Sequence, residues 1–72
     1  QNWAYHELLG WIYVVGESDQ DVWIWIPGYG WHWTGAQYYP YLYRHNLQGW
    51  VYLLKNAQGE PVYYNTITGQ IE

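Results

Sequence analysis

Gly30-Trp31-His32-Trp33, with Tyr41-Leu42-Tyr43 about ten residues further on, is the stretch that decides how the chain folds. Its pattern is a glycine, an aromatic, any residue and an aromatic, and then a second aromatic-x-aromatic triplet. The same phrase precedes it as Gly10-Trp11-Ile12-Tyr13 with Trp23-Ile24-Trp25, and follows it as Gly49-Trp50-Val51-Tyr52 with the looser Val62-Tyr63-Tyr64. Trp3-Ala4-Tyr5 reads as the second half of a truncated copy, and Gly69-Gln70 falls where a fourth Gly-Trp is due. The glycines are 20, 19 and 20 residues apart. A fixed period of this size marks a repeat architecture. The 72 residues form one module of about three and a half units, approximately 1–9 (partial), 10–29, 30–48, 49–68 and 69–72 (partial).

Alternation with period two in short runs of aromatic and β-branched residues predicts strands, since a helix needs apolar positions three and four apart. Turn chemistry separates the runs at 16–20, 27–30, 45–49, 56–59 and 65–69, rich in Gly, Asn, Asp and Pro. Connections this short favour antiparallel neighbours. The expected fold is therefore all-β: an antiparallel meander of six main strands and two short end strands, curled as a small barrel or a solenoid of hairpins. Successive side chains point to opposite faces. One face carries Trp11, Tyr13, Trp23, Trp25, Trp31, Trp33, Tyr41, Tyr43, Trp50 and Tyr52, joined by Trp3 and Tyr5 of the truncated copy. The other carries Ile12, Val14, Val22, Ile24, Ile26, Leu42, Val51 and Leu53. Neither face reads as polar, so both need covering.

The bulk composition sharpens this. A chain of 8.7 kDa hides only about 60% of its surface when it folds alone. Small folds close that gap with disulfides, metals or association, and there is no Cys. Seven Trp and ten Tyr stand beside no Phe and no Met. Every aromatic thus carries an N–H or O–H, which suits a surface that is half apolar and half wet. The net charge of −4, with only Arg44 and Lys55 as cations, argues against nucleic acid and anionic membranes as partners. Leu8 to Val15, the longest mostly apolar stretch, is too short to span a bilayer. The chain opens on Gln1 rather than Met, as a processed product or excised module does, and lacks the oxidisable Cys and Met. An extracellular or cell-surface location is expected.

Catalytic and metal chemistry is hard to place. Ser18 is the one serine and has no elbow motif around it, and Glu7 and Glu60 have no spacing that makes them a carboxylate pair. No catalytic residue and no cofactor are expected. Glu17, Asp19 and Asp21 alternate along one turn, either as a solvated acidic tip or as a weak cation site. An EF-hand loop counted from Glu17 fails, because Val22 and Gly28 occupy its sixth and twelfth positions. His6, His32 and His45 lack metal spacing. His32 falls on the aliphatic face, where a lone imidazole is expected to be hydrogen-bonded within a core or interface. Arg44 is either stacked on an aromatic ring or a plain surface cation.

The matching stretches Trp3-Ala4-Tyr5-His6, Leu9-Gly10-Trp11-Ile12-Tyr13, Trp23-Ile24-Trp25, Gly30-Trp31-His32-Trp33-Thr34, Tyr39-Pro40-Tyr41-Leu42-Tyr43 and Trp50-Val51-Tyr52 resemble a known pattern. It is the aromatic repeat at the C-terminal end of secreted proteins from Verrucomicrobia and related marine bacteria. That resemblance covers nearly the whole chain and implies an extracellular or surface context. More loosely, Gly49-Trp50-Val51-Tyr52 followed by Val62-Tyr63-Tyr64-Asn65 and Thr68-Gly69-Gln70-Ile71 is similar to choline- and cell-wall-binding hairpin repeats. The longer turns and the Pro40 segment depart from that family.

Two functions of different class follow. One is a non-catalytic structural module whose copies associate through aromatic faces and exposed strands into a filament or surface assembly. Its edges, around Trp3-Ala4-Tyr5 and Gln70-Ile71, carry no guarding charge except Glu72. The other is a module that binds polysaccharide or cell wall and anchors a larger secreted protein, with Trp31 and Trp33 as contacts.

Overall fold

A computed structural model describes residues 2–72, apart from the side chain of Glu17. Eight strands follow one another: β1 (Trp3–His6), β2 (Gly10–Ser18), β3 (Asp21–Ile26), β4 (Gly30–Thr34), β5 (Tyr41–Arg44), β6 (Gly49–Lys55), β7 (Pro61–Asn65) and β8 (Gln70–Ile71). They form one antiparallel meander in chain order, with no helix among the described residues. Each aromatic triplet lies on its own strand.

The sheet is strongly curled but open. Flat neighbouring strands lie about 4.8 Å apart, yet side chains meet across several strands. Arg44 of β5 reaches Glu72 just beyond β8, and His6 of β1 reaches Tyr39 in the β4–β5 connection. β1 and β8 each pair on one side only, so the barrel alternative is not realised as a closed cylinder.

Register fixes which face turns inward. Val14, Ile24, His32 and Arg44 form one row across β2 to β5, and Leu42, Val51 and Asn65 another across β5 to β7. These rows line the concave side, where Ile12, Ile24, Ile26, Leu42, Val51, Leu53 and Tyr63 are buried. The aliphatic face is thus the core. It is less apolar than the sequence suggests, because His32, Thr34, Arg44 and Asn65 are buried with it. The accessible surface of 4937 Å² lies close to the roughly 4,700 Å² expected for a monomer of this mass. What is unusual is the aromatic content of that surface, not its extent.

The turns explain the recurring glycine. Three-residue connections end on Gly10 and Gly30, whose φ values of +80° and +89° are ones that L side chains resist. The β5–β6 connection has four residues, and Gln48 takes the positive φ instead. Gly49 is then required because Ile67 leans to 2.7 Å from where a Cβ would stand. The β7–β8 turn is built the same way. Gly69 N donates to Asn65 O at 2.7 Å just as Gln48 N donates to Arg44 O at 2.9 Å. Gly69 is therefore the counterpart of Gln48, Gln70 of Gly49 and Ile71 of Trp50, which places the fourth repeat one residue later than the Gly69-Gln70 match. At the β2–β3 corner, β2 runs on through a bulge to Ser18, which shortens the expected turn to Asp19 and Gln20.

Candidate functional site

The inner surface holds one polar cluster. Strand alternation turns His32 of β4 and Arg44 of β5 inward as direct cross-strand partners. His32 Nδ1 donates to the Gly30 carbonyl at 2.9 Å, which leaves Nε2 to accept from Arg44 Nε, also at 2.9 Å. Guanidinium N–H groups only donate, so this arrangement requires a neutral imidazole. Burial is the main reason the His32 pKa falls to about 4; the Gly30 bond opposes it and the Arg44 charge adds to it. Arg44 Nη1 pairs with Glu72 Oε1 at 2.6 Å, and Asn65 Nδ2 donates to Glu72 Oε2 at 2.8 Å. The guanidinium lies over the rings of Tyr29, at 4.4 Å, and Tyr63, at 5.3 Å. Arg44 is thus the stacked cation of the two alternatives, on those rings rather than on its neighbour Tyr43. Its Nη2 has no hydrogen-bond partner among the described residues. Burial, with the nearby Tyr29, pushes the Tyr63 phenol up to about 12. Glu72, which looked like an edge guard, instead turns inward to complete this cluster.

The outer surface holds the twelve aromatics that the sequence places on one face, while Tyr63 lies in the core. Cross-strand register assembles them into rows: Trp3, Tyr13, Trp25 and Trp31; then Val15, Trp23, Trp33, Tyr43 and Trp50; then Tyr41, Tyr52, Tyr64 and Ile71. Tyr5 faces Trp11 beside the first row. Within rows the rings meet edge to face, as in Trp3–Tyr13 at 5.2 Å, Trp25–Trp31 at 5.5 Å, Tyr43–Trp50 at 5.4 Å and Tyr41–Tyr52 at 4.6 Å. This is the arrangement that ring quadrupoles favour. Exposure is uneven. Tyr13, Trp23, Trp31, Trp33, Tyr43, Trp50 and Tyr52 are half-buried, and Trp25 and Tyr41 are exposed. Trp3, Tyr5 and Trp11, at the β1 edge, are 60, 66 and 67% exposed.

Two shallow concavities open on this surface. One, of about 380 Å³, is lined by Val15, Trp23, Trp31 and His45. The other, of about 500 Å³, is lined by Gln37, Tyr38, Tyr41, Trp50 and Thr66. They are related by the repeat, since His45 N bonds to Trp31 O as Thr66 N bonds to Trp50 O. Sequence reading missed Tyr38, whose ring folds from the β4–β5 connection over Trp33 and Trp50. Nothing in the strand periodicity reports on a connection. Tyr64 and Ile71 were also missed, although the same alternation that found Tyr52 reaches them.

The remaining candidates separate. Asp21 accepts from Trp33 Nε1 at 2.6 Å through Oδ1. The Glu17 side chain lies outside the described residues, and among those described no three metal-ligating side chains cluster. A smaller polar recess of about 300 Å³ joins His6, Glu7, Leu8, Tyr39, Lys55 and Gly59. There His6 Nδ1 accepts from the Leu8 and Leu9 amides, both at 3.1 Å, so Nε2 donates to the Tyr39 hydroxyl at 2.7 Å. Burial, with the Glu7 charge, raises the Tyr39 pKa. No helix among the described residues is long and apolar enough to cross a membrane. No family model, curated protein or solved structure matches the chain.

Proposed function

We propose that this chain is a non-catalytic, extracellular structural module that associates edge to edge with copies of itself into a filament or surface assembly. The observation that carries the reading is where the outer aromatic surface stops. Its most exposed rings lie on β1 and β2 at one open edge of the sheet, and the third row ends on exposed Ile71 at the other. With Glu72 committed to Arg44 and Asn65, no charge guards either edge strand.

Backbone geometry supplies the docking groups. Val14 N donates to Asn2 O at 2.7 Å. By antiparallel alternation the amides of Ala4 and His6 then also face β2, and those of Trp3 and Tyr5 face outward. Glu72 N bonds to Tyr63 O at 2.8 Å, which by the same parity turns the Ile71 amide out from β8. Trp3, Tyr5 and Ile71 all have outward side chains, so pairing β8 of one copy with β1 of the next continues the sheet with its aromatic face on one side. Such a contact uses two different patches and propagates rather than closes.

Tyr5→Pro removes an outward amide without breaking a ladder bond, which an edge strand tolerates, and Trp3→Lys adds the missing guard. On light scattering the unmodified chain should grow with concentration beyond its 8.7 kDa protomer mass, and both variants should remain at that mass. An unmodified chain that stays monomeric at all concentrations, with no filaments in electron micrographs, refutes the proposal.

A further inference from the structure

We infer that the concavity lined by Gln37, Tyr38, Tyr41, Trp50 and Thr66 is a binding site for a neutral saccharide unit. Nothing in this inference depends on the edges of the sheet, because none of the five residues lies on β1 or β8.

The site is held in place rather than being a gap between mobile side chains. Ala36 N bonds to Asp19 O at 2.7 Å, Tyr38 N to Gly35 O at 2.9 Å and Tyr41 N to Tyr38 O at 2.8 Å, pinning the β4–β5 connection over the sheet. The Tyr38 ring then packs 5.4 Å from Trp33 and 5.5 Å from Trp50, forming a wall beside the indole. At about 500 Å³ the space falls in the range of roughly 300–1,000 Å³ usual for small-ligand sites.

Its chemistry selects the ligand class. The lining contains no Asp, Glu, Lys, Arg or His, so an ionic ligand finds no counter-charge. Three aromatic rings supply flat apolar surface for the C–H face of a pyranose ring. Around them stand polar atoms without strong partners. Gln37 makes only a long 3.4 Å bond, from Nε2 to Gln20. Thr66 donates its hydroxyl proton to the Trp50 carbonyl at 2.6 Å, which leaves its oxygen free to accept. The lining is mostly apolar ring surface, suited to stacking, and Gln37, Thr66, Tyr38 and Tyr41 are the side chains beside it that carry donors and acceptors for sugar hydroxyls. The sister concavity, lined by Val15, Trp23, Trp31 and His45, has no side-chain amide or hydroxyl and includes a titratable imidazole.

The test titrates the full chain, and the Tyr5→Pro chain in parallel, with cellohexaose, laminarihexaose, mannohexaose and chitohexaose, followed by tryptophan fluorescence and calorimetry. Choline chloride is the control for a cation held by aromatic rings. At least one oligosaccharide should bind saturably in both chains. Tyr38→Ala and Gln37→Ala should each weaken it by about fivefold or more, Tyr38→Phe by less, and Gln58→Ala, in the exposed β6–β7 turn, should leave it unchanged. Circular dichroism checks that each variant keeps its strands. Absence of binding by all four sugars up to about 10 mM overturns the inference, as does binding of choline alone or sugar binding that survives Tyr38→Ala. Sugar binding by the Tyr5→Pro monomer separates this site from the assembly proposal.

Discussion

Acidification should destabilise this fold through His32 before it reaches any carboxylate. The imidazole is fully buried and donates to Gly30 while accepting from Arg44, so a second ring proton would break the Arg44 bond and place two cations side by side. The side chains facing it are Arg44 from β5, Tyr63 from β7 and Glu72 beyond β8; burial and the Arg44 charge disfavour the added proton and outweigh the Gly30 bond and Glu72, which favour it. The folded pKa of about 4 lies below the ordinary 6.5, so as pH falls the unfolded chain takes up the proton first. The contribution of neutral His32 is fully present above pH 6.5 and is lost progressively as pH falls toward 4. A shift of this size corresponds to on the order of 3 kcal/mol, a large share of the roughly 4–11 kcal/mol expected for 72 residues. His32→Gln retains an acceptor for Arg44 but loses the Gly30 bond and the titration. It should cost about 1–2 kcal/mol at pH 7 and then fall less steeply than the parent between pH 6.5 and 4. Urea unfolding followed by tryptophan fluorescence, at a protein concentration where the midpoint no longer depends on concentration, measures both. Taking the difference between the two proteins cancels the titrating groups that do not interact with His32; Glu72, which does, titrates in the lower window below pH 4.5. Parallel pH profiles, differing by less than about 1 kcal/mol across that window, would refute the assignment of the acid response to His32.

Glu72→Gln should act in a lower window. Burial raises this carboxyl, but hydrogen bonds from Asn65 and Arg44 and the Arg44 charge outweigh it and hold the pKa below 4.5. Its contribution is present above pH 4.5 and disappears as pH falls through the lower folded value, so the variant should lose the last part of acid destabilisation in the same urea assay. Leu42→Ala, at a position fully buried on the inner face, should cost about 2–5 kcal/mol by urea unfolding. Trp11→Ala, a larger deletion on the outer face, should cost less than about 1 kcal/mol, and the opposite order would mean that the sheet curls the other way. Gly30→Ala should lower stability by about 1–3 kcal/mol, through its φ of +89° and the Asn46 amide 2.8 Å from the new methyl.

Much of the fold was legible because its code is local. Period-two alternation specifies a strand and its two faces, and the glycine before the first triplet marks a turn with positive φ at Gly10 and Gly30, while at Gly49 that conformation passes to Gln48. The sequence misled at the fourth repeat, because Gly69 serves a four-residue turn whose earlier counterpart is Gln48, and identity of residue type concealed the difference in backbone position. Which face turns inward was not legible, since Trp and Ile rows are both apolar. His32 and Arg44 carried the missing signal. Two polar residues at inward positions of adjacent strands are tolerable only if they satisfy one another, and Asn65 and Glu72 complete the set from distant strands that meet them only after the sheet curls. The Gln37–Tyr38 wall of the second outer concavity was invisible for a related reason, because a connection has no periodicity to betray where it folds.

The direction of curl also argues for where a second copy would attach. A tightly wound sheet of eight short strands leaves little space on its concave side, enough for Ile, Val and Leu but not for a row of indoles, so the rings take the convex side, where side chains splay apart. There each ring in mid-row is flanked on both sides, and an edge-to-face pair contributes about 0.5–1.5 kcal/mol beyond its buried area. Trp23 and Trp33 are half-buried by this means, whereas Trp25, also in mid-row, stays 42% exposed. A ring at the end of a row lacks that second neighbour. Trp3 and Tyr5 on β1, together with Trp11 at the start of β2, are the most exposed large aromatics on the surface. An added strand therefore removes more aromatic surface from water at β1 than the same area of contact would in mid-sheet. Association of copies should accordingly blue-shift and protect the Trp3 and Trp11 indoles while leaving Trp23 and Trp33 unchanged. Fluorescence of Trp3→Phe and Trp11→Phe variants across a dilution series measures this, and a shift confined to the mid-row tryptophans would place the contact on the flat of the sheet instead of its edge.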